Sequence, residues 1–336
     1  MDKLGWWTVC GAFLTSVVFT FGVLRSAVAG RVLIDVPNQR SSHGQPKPRG
    51  GGVGVVFGLL LGVAIASWGH DFHRPTLVLL SGALICAALG LWDDVRRLSV
   101  APRLIVQTAV STWLVFETGP LIHLPLPEPL DVPIGALGFV FPLFWLVGVM
   151  NFFNFMDGID GLATGQAVAG SLLVIASSWS SDAPILAMAL AGALLGFLPF
   201  NWWPSRIFLG DVGSLPVGFL LAGLPLLSPS PESPRAVLAT AIGLSLFLLD
   251  PVVTLWRRWR RGAPLGQSHR EHLYQQFLGA KDPHGPVALA LVGAGLCLSF
   301  VGWAVYRWPS AGWAGVLVAA LLFSLEYFLV RRRTTR

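Results

Sequence analysis

The sequence predicts an all-α fold, a polytopic membrane helix bundle, and three observations lead there. Hydrophobic residues make up 54% of the 336 positions and charged residues only 12%, where soluble domains carry about a quarter. The mean hydropathy is +0.67. The apolar residues also fall in successive long runs, many near the ~20 residues that cross a bilayer as a helix. A soluble domain with one anchor is excluded.

Eleven spans are expected, at roughly 4–28, 51–68, 75–92, 103–118, 134–150, 162–179, 184–200, 213–227, 235–256, 286–305 and 311–330, with ten as the alternative count. Together they read as one integral membrane domain over 1–336. The separators Pro120–Pro133, Ser228–Pro234 and Arg307–Pro309 carry turn formers and little charge. The first run is long and no small-residue cleavage site follows it, so no cleavable signal peptide is expected. Cys10, Cys86 and Cys297 each sit inside an apolar run, without the spacing of a disulfide framework or zinc site. They read as small buried hydrophobes.

Orientation follows from Lys and Arg in the short loops. With the N-terminus outside, the inner segments are 29–50, 93–103, 151–161, 201–212, 257–285 and the tail 331–336. Counting Arg25 at the adjoining helix end, nineteen of the 23 basic residues then lie inside, and only Lys3, Arg74, Arg235 and Arg307 lie outside. The same parity sends every polar motif to the cytoplasmic face.

Those motifs carry the chemistry. Asp93-Asp94 close the third span; adjacent helix positions point about 100° apart, so two different tasks are expected. Asn151-Phe-Phe-Asn-Phe-Met-Asp-Gly-Ile-Asp-Gly161 sets Asp157 and Asp160 three apart, with Asn151 and Asn154 at the same spacing. Phe208-Leu-Gly-Asp-Val-Gly-Ser214 follows Asn201 and places Asp211 just before an apolar run, a functional candidate at membrane depth. Carboxylates of this kind suit Mg²⁺, which takes one or two of them plus substrate phosphates. The longest inner loop contains His269-Arg270-Glu271-His272. Its run Arg257, Arg258, Arg260, Arg261 is read as topology and attraction to anionic lipid. The first inner loop joins cations, His43, Lys47 and Arg49 among them, to a glycine run, a weak signal for phosphate. As a set, these residues fit phosphoryl transfer from a soluble phosphorylated donor to a lipid acceptor.

The motifs occur in the order in which they stand in one family. Asp35-x-Pro-Asn with Pro-x-Pro-Arg-Gly-Gly, Asp93-Asp94, Asn151-x-x-Asn-x-x-Asp-Gly-x-Asp-Gly-Leu, Phe208-x-Gly-Asp-x-Gly-Ser and His269-Arg-x-His-Leu-Tyr-Gln span about 35–277. The chain resembles the polyprenyl-phosphate N-acetylhexosamine-1-phosphate transferases (glycosyltransferase family 4). It looks most like the O-antigen-type members, because the peptidoglycan translocase carries consecutive histidines in the last motif. Arg103 stands where many relatives have Lys.

The resemblance implies a bacterial inner-membrane enzyme that uses Mg²⁺, with Mn²⁺ able to substitute. Its partners would be a UDP-N-acetylhexosamine, undecaprenyl phosphate and membrane lipid, with a homodimer open and no nucleic acid. Asp211 would be the main metal ligand, with Asp94 beside it, and Asp93 and Asp94 would lie at the catalytic centre. His269, Arg270 and His272 would act on the diphosphate or sugar. Asn154, Asp157, Asp160 and Asn201 would line the nucleotide-sugar pocket with Phe208 against the uracil. His43, Lys47, Arg49, Arg103 and Asn151 complete the expected substrate contacts. Direct attack by the lipid phosphate with loss of UMP is favoured over a covalent aspartyl-phosphate. A transporter would hold its carboxylates near the midplane, often with internal repeats. A CDP-alcohol phosphotransferase would show its own aspartate motif, which is absent.

Overall fold

The computed structural model describes residues 3–30, 33–35, 46–266, 269–278 and 283–334. His43 lies outside them. Thirteen α-helices are described: α1 (Lys3–Gly30), α2 (Gly52–Ala66), α3 (Arg74–Arg96), α4 (Val100–Thr118), α5 (Leu137–Phe155), α6 (Leu162–Ser177), α7 (Ala183–Asn201), α8 (Asp211–Gly223), α9 (Ser233–Gly243), α10 (Ser245–Arg260), α11 (Leu273–Phe277), α12 (His284–Arg307) and α13 (Gly312–Thr334). The strands are two residues each, β1 (Ile34–Asp35) and β2 (Lys47–Pro48), paired antiparallel. The fold is an all-α polytopic membrane bundle.

The expected count of eleven spans is corrected. Among the described residues, six helices are long and apolar enough to cross a membrane: α1, α3, α5, α7, α12 and α13. They become seven if α9 and α10, bent by 74° at their break, count as one. Helices α2, α6 and α8 have 15, 16 and 13 residues, about 20–24 Å at 1.5 Å per residue. That is short of the ~30 Å hydrocarbon layer. Their apolarity has another cause, which α8 shows plainly: every residue from Val212 to Gly223 is buried against other helices. Helix α4 has 19 residues but interrupts its apolar run with Arg103, Gln107 and Glu117, and it is not among the six.

Helix α8 is the axis of the site. Gly90 of α3 lies so close to it that a Cβ there would stand 2.1 Å from the Asp211 carbonyl oxygen. This contact brings the last turn of α3 to the first turn of α8. The segment after β2 runs beside the one before α8: the Phe208 N–H donates to Pro48 O (2.9 Å), and Gly51 and Gly52 N–H donate to Phe208 O and Leu209 O (2.9 and 2.8 Å). Arg49 is thereby fixed next to Asp211 and Lys47 beside the Phe208 ring. At the other end of α3, buried Asp182 accepts bonds from Thr76 Oγ1 (2.6 Å) and the His73 N–H (2.8 Å) and contacts His70 Nε2 (2.9 Å), which anchors the start of α7.

Candidate active site

Three carboxylates and two guanidinium groups meet where α3 ends and α8 begins. Asp93 accepts from the Leu98 N–H on one oxygen and from Arg103 Nη1 on the other (2.7 Å). Asp94 is fully buried. Its two oxygens accept from the backbone N–H groups of Asp211 (3.2 Å) and Val212 (3.1 Å), the first turn of α8. Arg49 adds an ion pair to Asp94 at 3.0 Å. Gly210 permits this approach through φ +74°, where a Cβ would meet Asp94 Oδ2 at 2.7 Å. Asp211 is held more loosely, with Arg49 at 3.7 Å and Arg103 at 3.5 Å.

The loop between α5 and α6 supplies the adjoining wall. Asn154 Nδ2 donates to Ser214 Oγ of α8 (2.8 Å). Burial, then the negative charge of Asp211, pushes the Asp157 carboxyl well above its ordinary range. Asp160 behaves oppositely. Burial alone would raise it, but bonds from His284 and Ser205 and the Lys47 charge together hold it well below the usual carboxylate range. Lys47 Nζ also sits over the Phe208 ring, 5.3 Å from its centroid.

The histidine loop closes the same end. His269 and His272 stack with centroids 4.9 Å apart, and the Tyr274 hydroxyl donates to Phe155 O at the end of α5 (3.0 Å). Its anchor is a residue that sequence reasoning missed. Asp250, fully buried in α10, contacts His272 Nδ1 at 3.2 Å and accepts from Leu273 N (3.0 Å), Tyr274 N (3.3 Å) and Thr254 Oγ1 (2.9 Å). A carboxylate inside the run Leu-Phe-Leu-Leu-Asp-Pro-Val-Val is itself the signal that finds it. The arginine run is corrected in part: Arg258 is buried and, with Arg261, pairs with Glu271, so both clamp the histidine loop. Arg270 lies on that loop, half-buried.

Two expected substrate contacts are committed elsewhere. Asn151 Nδ2 donates to Gln107 Oε1 and Val147 O (both 2.8 Å), which joins α5 to α4. Asn201 is buried, accepting from Thr164 Oγ1 (2.7 Å) and donating to Ile207 O (3.2 Å). Both shape the site through backbone and neighbouring helices. Of the two carboxylates expected at the metal, Asp94 accepts an N–H of α8 on each oxygen, whereas Asp211 is held by the longer Arg49 and Arg103 contacts.

Among the described residues no three His, Cys, Asp or Glu side chains stand as a ready-made metal cluster. The donor chemistry nevertheless fits Mg²⁺, which takes one or two carboxylates and completes its shell with phosphate and water. Asp211 is the least committed of the three carboxylates, held by Arg49 and Arg103 only at 3.7 and 3.5 Å.

Residues 76–228 match the family described as glycosyl transferase family 4, a stretch that contains Asp93, Asp94, Asp157, Asp160 and Asp211. Over that stretch the chain is similar to glycosyl transferase family 4. It is 28% identical over 294 residues to the probable undecaprenyl-phosphate N-acetylglucosaminyl 1-phosphate transferase of Bacillus subtilis, covering 86% of this chain and 81% of that protein. It is 28% identical over 321 residues to the decaprenyl-phosphate N-acetylglucosaminephosphotransferase of Mycobacterium tuberculosis, covering 83% and 78%. A phospho-N-acetylmuramoyl-pentapeptide-transferase of Enterococcus faecalis is 33% identical over 209 residues, covering 57% and 64%. The chain is thus an enzyme of the phospho-sugar transferase class, and its histidine loop lies beyond the matched stretch.

Proposed function

We propose that this enzyme transfers an N-acetylhexosamine-1-phosphate from a UDP-sugar to a polyprenyl phosphate, with release of UMP, at the cytoplasmic face of a bacterial inner membrane. The observation that carries the reading is the gathering of Asp93, Asp94 and Asp211 with Arg49 and Arg103 at one end of the bundle. The 157–160 loop and the histidine loop join them there. This end collects the segments richest in Lys and Arg, which supports its cytoplasmic placement; with the seven-span count the N-terminus faces out and the C-terminus the cytoplasm, and the chain is read as one integral membrane domain.

The acceptor phosphate has a second pKa near 6, so it is largely dianionic and needs no general base. Its oxygen attacks the sugar-proximal phosphorus; the new P–O bond forms as the bond to UMP breaks. The difficulty is bringing two anions together. Arg49 and Arg103 place guanidinium groups against the acidic centre, and Asp250 holds the loop that carries His269, Arg270 and His272. Asp211 would hold Mg²⁺, which would supply charge neutralisation on the donor diphosphate. Lys47 and Phe208 receive the nucleoside end. N-acetylglucosamine is the first sugar to test, given what the Bacillus and Mycobacterium relatives are named for, and the product would initiate O-antigen or another envelope polysaccharide. Incubating purified enzyme with Mg²⁺, undecaprenyl phosphate and a panel of UDP-sugars, including the muramoyl-pentapeptide, tests the reading through UMP release. No UMP from any donor sinks it.

A further inference from the structure

We infer that Ser205 is a positioning residue that holds the Lys47 ammonium over the Phe208 ring and so tunes nucleobase recognition, with His284 set against the same Asp160. The inference rests on the proposed nucleotide-sugar reading. Ser205 follows α7 in the turn Trp203-Pro-Ser-Arg206 and is buried. Lys47 Nζ donates to its hydroxyl oxygen at 2.9 Å. That hydroxyl in turn donates to Asp160 Oδ1 at 2.8 Å, and the Ser205 N–H donates to Asp160 Oδ2 at 3.0 Å. The direct contact between Lys47 and Asp160 is longer, 3.4 Å. The serine is therefore the better-made link between the two charges.

Geometry explains why this link matters. Lys47 is a flexible stem that ends in a point charge, and it leaves a two-residue strand. Without the hydroxyl, the ammonium either collapses onto Asp160 or swings to solvent, and in both cases it leaves the Phe208 ring. A fixed donor held over an aromatic ring suits a planar base that presents a carbonyl oxygen to it. Uracil does so where cytosine presents an amino group. His284, the first residue of α12, closes the arrangement: its Nδ1 lies 3.4 Å from the Asp160 backbone nitrogen and 3.5 Å from Asp160 Oδ1, and its tautomer sets which of the two it bonds. A histidine after the long inner loop is thereby tied to the 157–160 loop. Ser205 and His284 are not legible as site residues from sequence spacing, since neither belongs to a polar motif.

The test uses the full-length enzyme in detergent with Mg²⁺, measuring UMP and CMP binding by calorimetry beside steady-state kinetics. Ser205→Ala should weaken UMP binding and raise KM for the UDP-sugar about tenfold, the scale of one bond to a charged group. The preference for UMP over CMP should shrink while kcat stays near wild type. Ser205→Thr keeps the hydroxyl and should restore both constants. If alanine lowers the unfolding midpoint, Ser205→Cys, which preserves volume and bonds weakly, must still show the loss of selectivity. Wild-type UMP affinity and selectivity in Ser205→Ala, in an enzyme that binds UMP, would overturn the inference alone. Failure of the wild type to bind UMP overturns the nucleotide reading, and the inference with it.

Discussion

Asp94 caps α8: its buried carboxylate receives the N–H groups of Asp211 and Val212 at 3.2 and 3.1 Å, and through that cap the end of α3 sets where Asp211 stands. A carboxylate at a helix N-terminus satisfies orphan donors and complements the positive end of the helix. The neighbouring Asp93 faces Arg103 instead. The two adjacent aspartates thus do different work, one structural and one at the charged centre.

Asp94→Ala removes that cap and leaves Arg49 without its 3.0 Å partner. Breaking a buried pair by deleting one member costs about 3–5 kcal/mol, so the unfolding midpoint should fall clearly in detergent, along with activity. Asp94→Asn, which retains one acceptor oxygen, should lose less. Equal midpoints for wild type and the alanine variant would show that α8 is held by packing alone.

Asp211→Asn conserves shape and removes one anionic ligand at the least committed carboxylate. Turnover should drop about 10²–10³-fold, the scale of losing one major electrostatic contact, while the unfolding midpoint holds. Stripping divalent ions with EDTA should stop the wild type, and Mg²⁺ should restore it. Substantial activity of the asparagine variant at ordinary Mg²⁺ would take Asp211 out of the metal role.

The site was more legible in the sequence than the spans were. Asp93, Asp94, Asp157, Asp160 and Asp211 each interrupt or end an apolar run, and a carboxylate there announces itself. Hydropathy cannot separate a helix buried in protein from one that crosses lipid, because both are apolar. That is why α2, α6 and α8 were counted as spans. Asn151 and Asn201 were placed on substrate by motif position, yet Gln107 and Thr164, which claim their amides, lie far away in the chain and carry no local signal. Asp250 shows the converse: its run was read as membrane, and the carboxylate inside it organises the histidine loop.

Orientation is tested by reporter fusions. One placed after Arg336 should read cytoplasmic and one near Pro127 periplasmic. A reversed pair would put the acidic centre on the face where UDP-sugars are absent.

His269 gives a pH dependence with a definite sign. Burial, then the nearby charges of His272 and Arg258, lowers its imidazole from 6.5 to about 4. The folded loop therefore binds fewer protons than the unfolded chain between those values, so stability should fall as pH drops from about 6.5 towards 4 and level off below. Above 6.5 this residue contributes no slope. In His269→Gln, which cannot be protonated, the midpoint-against-pH curve should be flatter across that window. An identical slope in the two proteins would assign the acid sensitivity to other groups.

Arg103 stands between the two carboxylates that would otherwise repel, at 2.7 Å from Asp93 and 3.5 Å from Asp211. Its guanidinium already offsets charge that a divalent cation also offsets, so the two compete electrostatically for Asp211. Arg103→Ala should raise metal affinity, read as Mn²⁺ binding by electron paramagnetic resonance without any turnover. It should also lower kcat by roughly 10–100-fold, because a charged bond worth about 1.5–3 kcal/mol is lost near the transferring phosphoryl group. Arg103→Lys keeps the charge but not the planar fork. It should leave Mn²⁺ affinity near wild type, since affinity follows charge. If the alanine variant binds Mn²⁺ more weakly than wild type, Arg103 holds the carboxylates in place for the metal, and the competition is not what governs the site.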